Sequence, residues 1–154
     1  MRWQQGRATI EAMIARSELD RVPASREQAD RLLVQARRHL ASARAIATLD
    51  GTGAYQLMYD AARKALGAVL ENQGLRATSK GGHIAVMDAI LAQLDPPLGA
   101  LLRPFDRMRR RRNDAEYPSQ SRPEVTADEV ARDLPKVEQI IAAAGRVLDE
   151  MGPF

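Results

Sequence analysis

The chain has 154 residues, 45% hydrophobic and 28% charged, with a formal net charge of +3. These values predict one folded domain and exclude the low hydrophobicity and high net charge of a disordered chain. Cysteine is absent and histidine occurs only twice, which excludes disulfides, thiol nucleophiles and zinc sites built from Cys and His, so we expect no metal or cofactor.

Nothing in the sequence predicts contact with a membrane. No apolar run approaches the roughly 20 residues that a membrane-spanning helix needs, and the first five residues lack the apolar core of a signal peptide. We therefore expect a soluble, cytoplasmic protein.

The first 22 residues carry a weak helical pattern. Ile10, Met13 and Ile14 recur at helical spacing, and Val22-Pro23 separates this segment from the rest. We predict an N-terminal helical extension at residues 1–22 and a helical bundle at residues 23–154.

Two long helices are predicted next. Ser25 with Gln28 forms a capping box, which predicts a first long helix at residues 26–49. A second is predicted at residues 54–73, after the break at residues 50–53, with Gly74 as its left-handed C-terminal cap. Its apolar stripe includes Tyr55 and Tyr59, which we expect in the core with their hydroxyls hydrogen-bonded.

Three further helical segments follow. A short helix after the loop at 78–82 ends before Pro96-Pro97, and its apolar positions are Ile84, Met87, Leu91 and Leu94. Another runs from Leu98 toward Tyr117, and Pro104 either kinks it or starts its main part. A capping box at Thr126 begins a last helix, in which Pro135 can introduce a bend. No segment alternates with period two for long enough to form a strand, so the predicted class is all-α, an up-and-down bundle of four to five helices with an extra N-terminal helix.

Five arginines lie within residues 107–112. A guanidinium is permanently charged and binds phosphate through two parallel hydrogen bonds, so the cluster favours nucleic acid or nucleotide phosphate. The alternative is that the arginines form a solvated helix face.

Arg112 is the member whose position is most informative. It follows Phe105 by seven residues and Met108 by four, so it should project from the buried face of the helix. A guanidinium there must meet a carboxylate, a carbonyl, a ligand or a second subunit. The alternatives are an ion pair with Glu116 one turn later, or a side chain that reaches solvent at the bundle end.

Three segments together resemble the HEPN superfamily: residues 59–66, 78–83 and 112–117. The signature of that family is an arginine followed by a polar residue, usually asparagine, with a histidine four to six residues after the arginine. Dimerisation brings two such motifs into one cleft, where active members cut RNA without metal. The resemblance therefore implies a bundle of HEPN type, a homodimer, and RNA or nucleotide as ligand.

The resemblance also implies roles for particular residues. Arg112 would stabilise the phosphate, Asn113 would orient it, and Tyr117 stands where the family has histidine. Because a phenol is a weaker base at neutral pH than an imidazole, this tyrosine weakens or alters the expected cleavage. Tyr117 would instead donate a hydrogen bond, stack on a base, or resemble the tyrosine that a nucleotidyltransferase antitoxin modifies. Further RNA or phosphate contacts are expected from Arg109, Arg110 and His83.

The two histidines are open to more than one interpretation. His83 follows two glycines at a predicted helix start, where it either caps or packs locally, or reaches Arg112 across the bundle. His39 lies on the first long helix and is interpreted as a surface or interface residue.

Three functional hypotheses follow. The leading one is a dimeric protein of the toxin–antitoxin type that binds RNA or nucleotide phosphate and cuts RNA without metal. The alternative is a non-catalytic binding or adaptor module that docks a partner such as a cognate antitoxin or nucleotidyltransferase. A third is a structural bundle whose arginines only keep it soluble. Phosphate loops, dinucleotide fingerprints and serine–histidine–acid sets are not found in the sequence.

Overall fold

The computed structural model describes residues 3–121 and 123–154. The elements follow in this order: α1 (Arg7–Ala15), β1 (Leu19–Arg21), α2 (Arg26–Ile46), α3 (Gly51–Gln73), β2 (Leu75–Ala77), α4 (Gly82–Leu94), α5 (Gly99–Leu102), α6 (Pro104–Glu116) and α7 (Ala127–Glu150). This confirms the predicted all-α class. None of the described helices is both long and apolar enough to cross a membrane.

Side-chain caps fix the starts of the long helices. Ser25 Oγ accepts a hydrogen bond from the backbone N–H of Gln28 at 3.0 Å, and Thr126 Oγ1 begins α7 in the same way. Asp50 Oδ1 accepts from the N–H of Gly53 at 2.8 Å. Because this carboxylate caps the helix, α3 begins at Gly51, three residues earlier than predicted.

The central helix is α3, which packs against α2, α4, α6 and α7. Tyr55 and Tyr59 are fully buried, and both hydroxyls are hydrogen-bonded, as predicted. A helix surrounded in this way brings residues from several other helices to one place.

The prediction that no strand forms is wrong. β1 and β2 pair as a two-stranded antiparallel sheet with Leu19 opposite Ala77. Each strand has only three residues, too few for alternation to show in the sequence. Gly74 ends α3 with a φ of +81° and its carbonyl accepts from Val22 N–H at 2.9 Å, so the glycine turns the chain directly into the sheet. The pairing joins the N-terminal segment to the bundle, where Ile10 is part of the same core.

The helix predicted from Leu98 toward Tyr117 is two helices. Pro104 starts α6 at the first helical position, where a missing backbone N–H costs nothing, and α5 is a single turn before it. In α4 the expected stripe is only partly correct, because Ile84 is exposed while Ala85 and Ile90 are buried. Pro135 lies inside α7.

Candidate functional site

The arginine cluster of α6 is paired with carboxylates throughout. Arg107 pairs with Asp133, Arg109 and Arg110 with Asp106, Arg111 with Glu129, and Arg112 with Glu116. The cluster is therefore not a bare cationic surface. Its members divide according to the direction in which they leave the helix.

Two of the arginines join α6 to α7. Arg107 donates to both oxygens of the buried Asp133, at 2.7 and 3.2 Å, and Arg111 donates to both oxygens of Glu129, at 2.8 and 3.0 Å. Paired hydrogen bonds of this kind fix geometry as well as adding stability. These two side chains have a structural role, which the charge run alone did not indicate.

Arg112 lies on the inward side of α6, beside α3. Its Cζ is 5.7 Å from the centre of the Tyr59 ring, and its side chain is 29% exposed. Nη2 is 3.2 Å from Glu116 Oε1, and Nη1 is 3.3 Å from Asn113 Oδ1. Its Nε is buried and has no hydrogen-bond partner among the described residues. The guanidinium thus combines the inward position and the local ion pair that were offered as alternatives.

A tyrosine and a histidine meet beside Arg112. Tyr59 Oη lies 2.6 Å from His83 Nδ1, and the Tyr59 ring stacks on Phe105 of α6 with 5.2 Å between ring centres. His83 is in the first turn of α4 and is partly buried. Burial raises the pKa of Tyr59 to about 12, so its phenol is protonated at neutral pH. One tyrosine therefore positions both the imidazole and the guanidinium.

Burial and the surrounding positive charge both favour the neutral form of His83. Burial lowers the pKa of the His83 imidazole, and the positive charges of Arg63, Arg112 and Arg109 lower it further, whereas Asp60 acts in the opposite direction. A neutral imidazole among arginines can take a proton from a ligand that the arginines hold. This combination is suited to acid–base chemistry on an anionic ligand.

The structure brings some of the predicted residues together and leaves others apart. Arg112, Arg109 and His83 share one region around Tyr59, as the charges acting on His83 show. Arg110 points to solvent with 68% of its side chain exposed, and Tyr117 is 76% exposed at the C-terminal end of α6. Asn113 is exposed and bonded to Arg112.

Arg63 and Asp60 were not predicted as members of this region. Arg63 donates to Asp60 Oδ1 at 2.7 Å from Nη2 and 2.9 Å from Nε, and both residues act on the charge of His83. Their signal in the sequence was their position on α3 close to Tyr59, since Asp60 follows it by one residue and Arg63 by four, one turn later.

His39 makes its own contacts with Lys64 and Asp60, separate from those of His83. Lys64 Nζ lies 2.7 Å from His39 Nε2, and Asp60 Oδ2 is 3.8 Å from the same nitrogen. Burial and the Lys64 charge lower the pKa of His39. His39 is thus partly buried between two helices and not simply solvated.

Within residues 3–121 and 123–154, no group of three or more His, Cys, Asp or Glu side chains is arranged to hold a metal ion. Comparison with protein-family models, with curated proteins and with solved structures finds no match to this chain.

Proposed function

We propose that this chain binds RNA through Arg112 and cleaves it without a metal ion, with His83 as the general base. The observation that carries the proposal is that the Arg112 guanidinium and the His83 imidazole both lie against Tyr59. The resemblance to the HEPN superfamily supports the same reaction, since its active members cut RNA with an arginine and a histidine.

Each residue would have a separate role in the cleavage reaction. Arg112, assisted by Arg109 and Arg63, holds the phosphate and stabilises the charge that it gains in the transition state. His83 Nε2 takes the proton of the neighbouring ribose 2′-hydroxyl, and the 2′-oxygen forms a bond to phosphorus. The bond from phosphorus to the 5′-oxygen breaks, and that oxygen takes a proton from water. The products are a 2′,3′-cyclic phosphate and a 5′-hydroxyl.

Tyr59 selects the nitrogen that faces the substrate. For Nε2 to accept a proton, the ring hydrogen of neutral His83 sits on Nδ1 and is donated to Tyr59 Oη, 2.6 Å away. Tyr59 is a positioning residue in this scheme, because its own buried phenol does not titrate near neutral pH.

His83 takes the role that the family motif gives to a histidine near the position of Tyr117. An imidazole whose pKa is lowered is unprotonated at neutral pH, as a base must be. Tyr117, by contrast, is 76% exposed at the C-terminal end of α6. A homodimer of the kind the resemblance implies would bring two such sets together.

The test is cleavage of a single-stranded RNA in the presence of EDTA. We expect activity in the wild type, a loss of about 10²–10³-fold in Arg112→Ala, and a loss of about 10²-fold or more in His83→Ala. Arg110→Ala removes an exposed arginine from the same helix and should change the rate little. Activity that requires a divalent metal, or that is equal in Arg112→Ala and Arg110→Ala, would overturn the proposal.

A non-catalytic binding module is the second candidate. The observation that favours it is that all five arginines of α6 already pair with carboxylates, which lowers the local positive charge. In this function the exposed end of α6, with Tyr117, would dock a partner protein such as a nucleotidyltransferase. RNA or partner binding without any cleavage in the EDTA assay would select this candidate over the first.

A further inference from the structure

A cavity of about 200 Å³ lies beside the proposed site, between α2, α3, β2 and α4. Leu32, Leu75 and Val86 supply apolar walls, and Arg63 is also part of the lining. Arg63 also acts on the charge of His83. The cavity and the phosphate site therefore share one residue.

Gly67 lines this cavity and contributes no side chain to fill it. It lies inside the 23-residue helix α3, where glycine is less favourable than any residue except proline. A Cβ built at Gly67 would meet no atom within 4 Å, so no close contact within the fold requires a glycine there. Any side chain at this position would instead occupy the cavity.

The spacing of residues along α3 and α4 places the cavity on the same helix sides as the proposed site. Tyr59, Arg63 and Gly67 follow one another at intervals of four residues, so they lie on one side of α3 in steps of about 6 Å. On α4, His83 and Val86 are three residues apart and likewise share a side. Arg63 and Gly67, which line the cavity, therefore lie on the same side of α3 as Tyr59, and Val86 lies on the same side of α4 as His83.

A buried carboxylate distinguishes this cavity from a simple apolar hole. Glu71 lines it, is only 8% exposed, and accepts a hydrogen bond from Arg76 Nη2 at 2.6 Å through Oε1. A carboxylate only accepts hydrogen bonds, so it disfavours an acyl chain and favours a group with N–H donors. Arg63 and Arg76 also line the cavity, and the planar guanidinium group of an arginine can stack on a flat ring.

We infer that this cavity is a nucleobase subsite, which takes the base of a nucleotide whose phosphate lies at Arg112 and which prefers bases with an exocyclic amino group. The inference rests on the proposed function, because Arg63 lines the cavity and also belongs to the proposed phosphate site. The volume fits a single base, since pockets for larger ligands run to about 300–1,000 Å³. Glu71 accepts from the amino groups of guanine, cytosine or adenine, whereas uracil has carbonyl oxygens on either side of its one N–H.

The experiment measures the binding of GMP, AMP, CMP and UMP to the full chain by calorimetry. We expect UMP to bind at least about 10-fold more weakly than the others, which corresponds to one hydrogen bond to a charged group. Gly67→Leu should weaken the binding of all four and remove the difference between them. Gly67→Ala should weaken binding less while raising the melting temperature by about 2–4 °C, because alanine favours the helix.

Gly145→Leu is the matched control. Gly145 also lies inside a helix, α7, and the nearest atom to a Cβ there is Arg37 Nη2 at 3.9 Å, so the control makes the same change away from the cavity. It should leave all four affinities unchanged. If Arg112→Ala abolishes binding while Gly67→Leu does not affect it, the subsite is wrong and the proposed phosphate site stands. If none of the four nucleotides binds while RNA is still cleaved in EDTA, the inference is overturned and the proposed function stands.

Discussion

The Tyr59 hydroxyl lies 2.6 Å from His83 Nδ1, and this hydrogen bond joins the middle of α3 to the first turn of α4. Because the same Tyr59 ring stacks on Phe105 and lies beside Arg112, α6 is held at this point as well. A single buried phenol thus fixes the relative positions of three helices at the proposed site.

Removing the Tyr59 hydroxyl should reduce the rate of RNA cleavage more than the stability of the fold. In Tyr59→Phe the ring still stacks on Phe105, but His83 loses its partner, so we expect the free energy of unfolding to fall by about 1 kcal/mol. RNA cleavage should fall about 10-fold, because one lost orienting hydrogen bond of roughly 1.4 kcal/mol corresponds to that factor. Urea unfolding and the EDTA cleavage assay measure the two effects.

Tyr55→Phe is the matched control for this change. Tyr55 lies one turn earlier on α3 and donates its hydroxyl hydrogen bond to Asp133 Oδ2 at 2.8 Å, away from His83. Its loss should destabilise the fold to a similar degree and leave cleavage unchanged. An equal loss of cleavage in both variants would show that Tyr59 acts only through stability.

The titration of His83 should lie below the ordinary histidine range. Burial and the charges of Arg63 and Arg112 lower its pKa, so NMR should find a value below about 6.5. As the pH falls from 6.5 through this lowered pKa, the unfolded chain binds the proton first and the fold loses stability. Cleavage that uses His83 as a base should persist below pH 6.5 for the same reason.

Variants that remove one positive charge test the cause of the lowered His83 pKa. Arg63→Gln and Arg112→Gln should each raise the pKa of His83, whereas Arg110→Gln, which alters an exposed side chain, should leave it in place. A His83 pKa at or above 6.5 in the wild type would contradict the described electrostatics.

Asp133 should control the stability of the fold in acid. Although burial alone would raise its pKa, hydrogen bonds from Arg107, Tyr55 and Lys136 together with the Arg107 charge hold the pKa below the ordinary value. Its contribution is therefore present above the unfolded pKa of about 4 and is lost as the pH falls through the lower folded value. Thermal unfolding measured from pH 2 to 7 should show this loss, and Asp133→Asn should flatten it.

Asp133→Ala should also be costly at neutral pH. It leaves the buried Tyr55 hydroxyl without an acceptor and removes the anchor of Arg107, so we expect a loss of about 2–3 kcal/mol in the free energy of unfolding. A loss below 0.5 kcal/mol would show that water or another group replaces the carboxylate.

The Arg111–Glu129 ion pair should stabilise the fold without contributing to RNA binding. A double-mutant cycle with Arg111→Ala and Glu129→Ala should give a coupling of about 0.5–1 kcal/mol that decreases with salt, since both side chains are partly exposed. Because Arg111 is directed to α7, its variant should bind RNA as tightly as the wild type. Weaker RNA binding in Arg111→Ala would extend the proposed site to this side of α6.

The helices were largely predictable because their signals are local. Ser25 and Thr126 cap helices at the predicted positions, and Gly74 ends α3 as predicted, since each of these contacts joins residues only a few positions apart. The sheet was not predictable, because its two strands are brought together by the turn at Gly74 and by the packing of α1.

The candidate site could be predicted only in part. The spacing of Arg112 from Phe105 and Met108 correctly placed its guanidinium on the inward side of α6, because helical geometry fixes that direction. The meeting of His83 with Tyr59 joins residues 24 positions apart on different helices, and local spacing does not determine such a contact.

Sequence by itself determined where most of the helices lie and which face of α6 carries Arg112, since hydrogen bonds and side-chain direction within a helix depend on near neighbours. Only the tertiary structure decided which of the arginines contact other helices. Successive residues on a helix point about 100° apart, so adjacent arginines reach different helices: Arg111 meets Glu129 on α7, and Arg112 meets Tyr59 on α3. The packing of α3, α4 and α6 then placed His83 against Tyr59, beside Arg112.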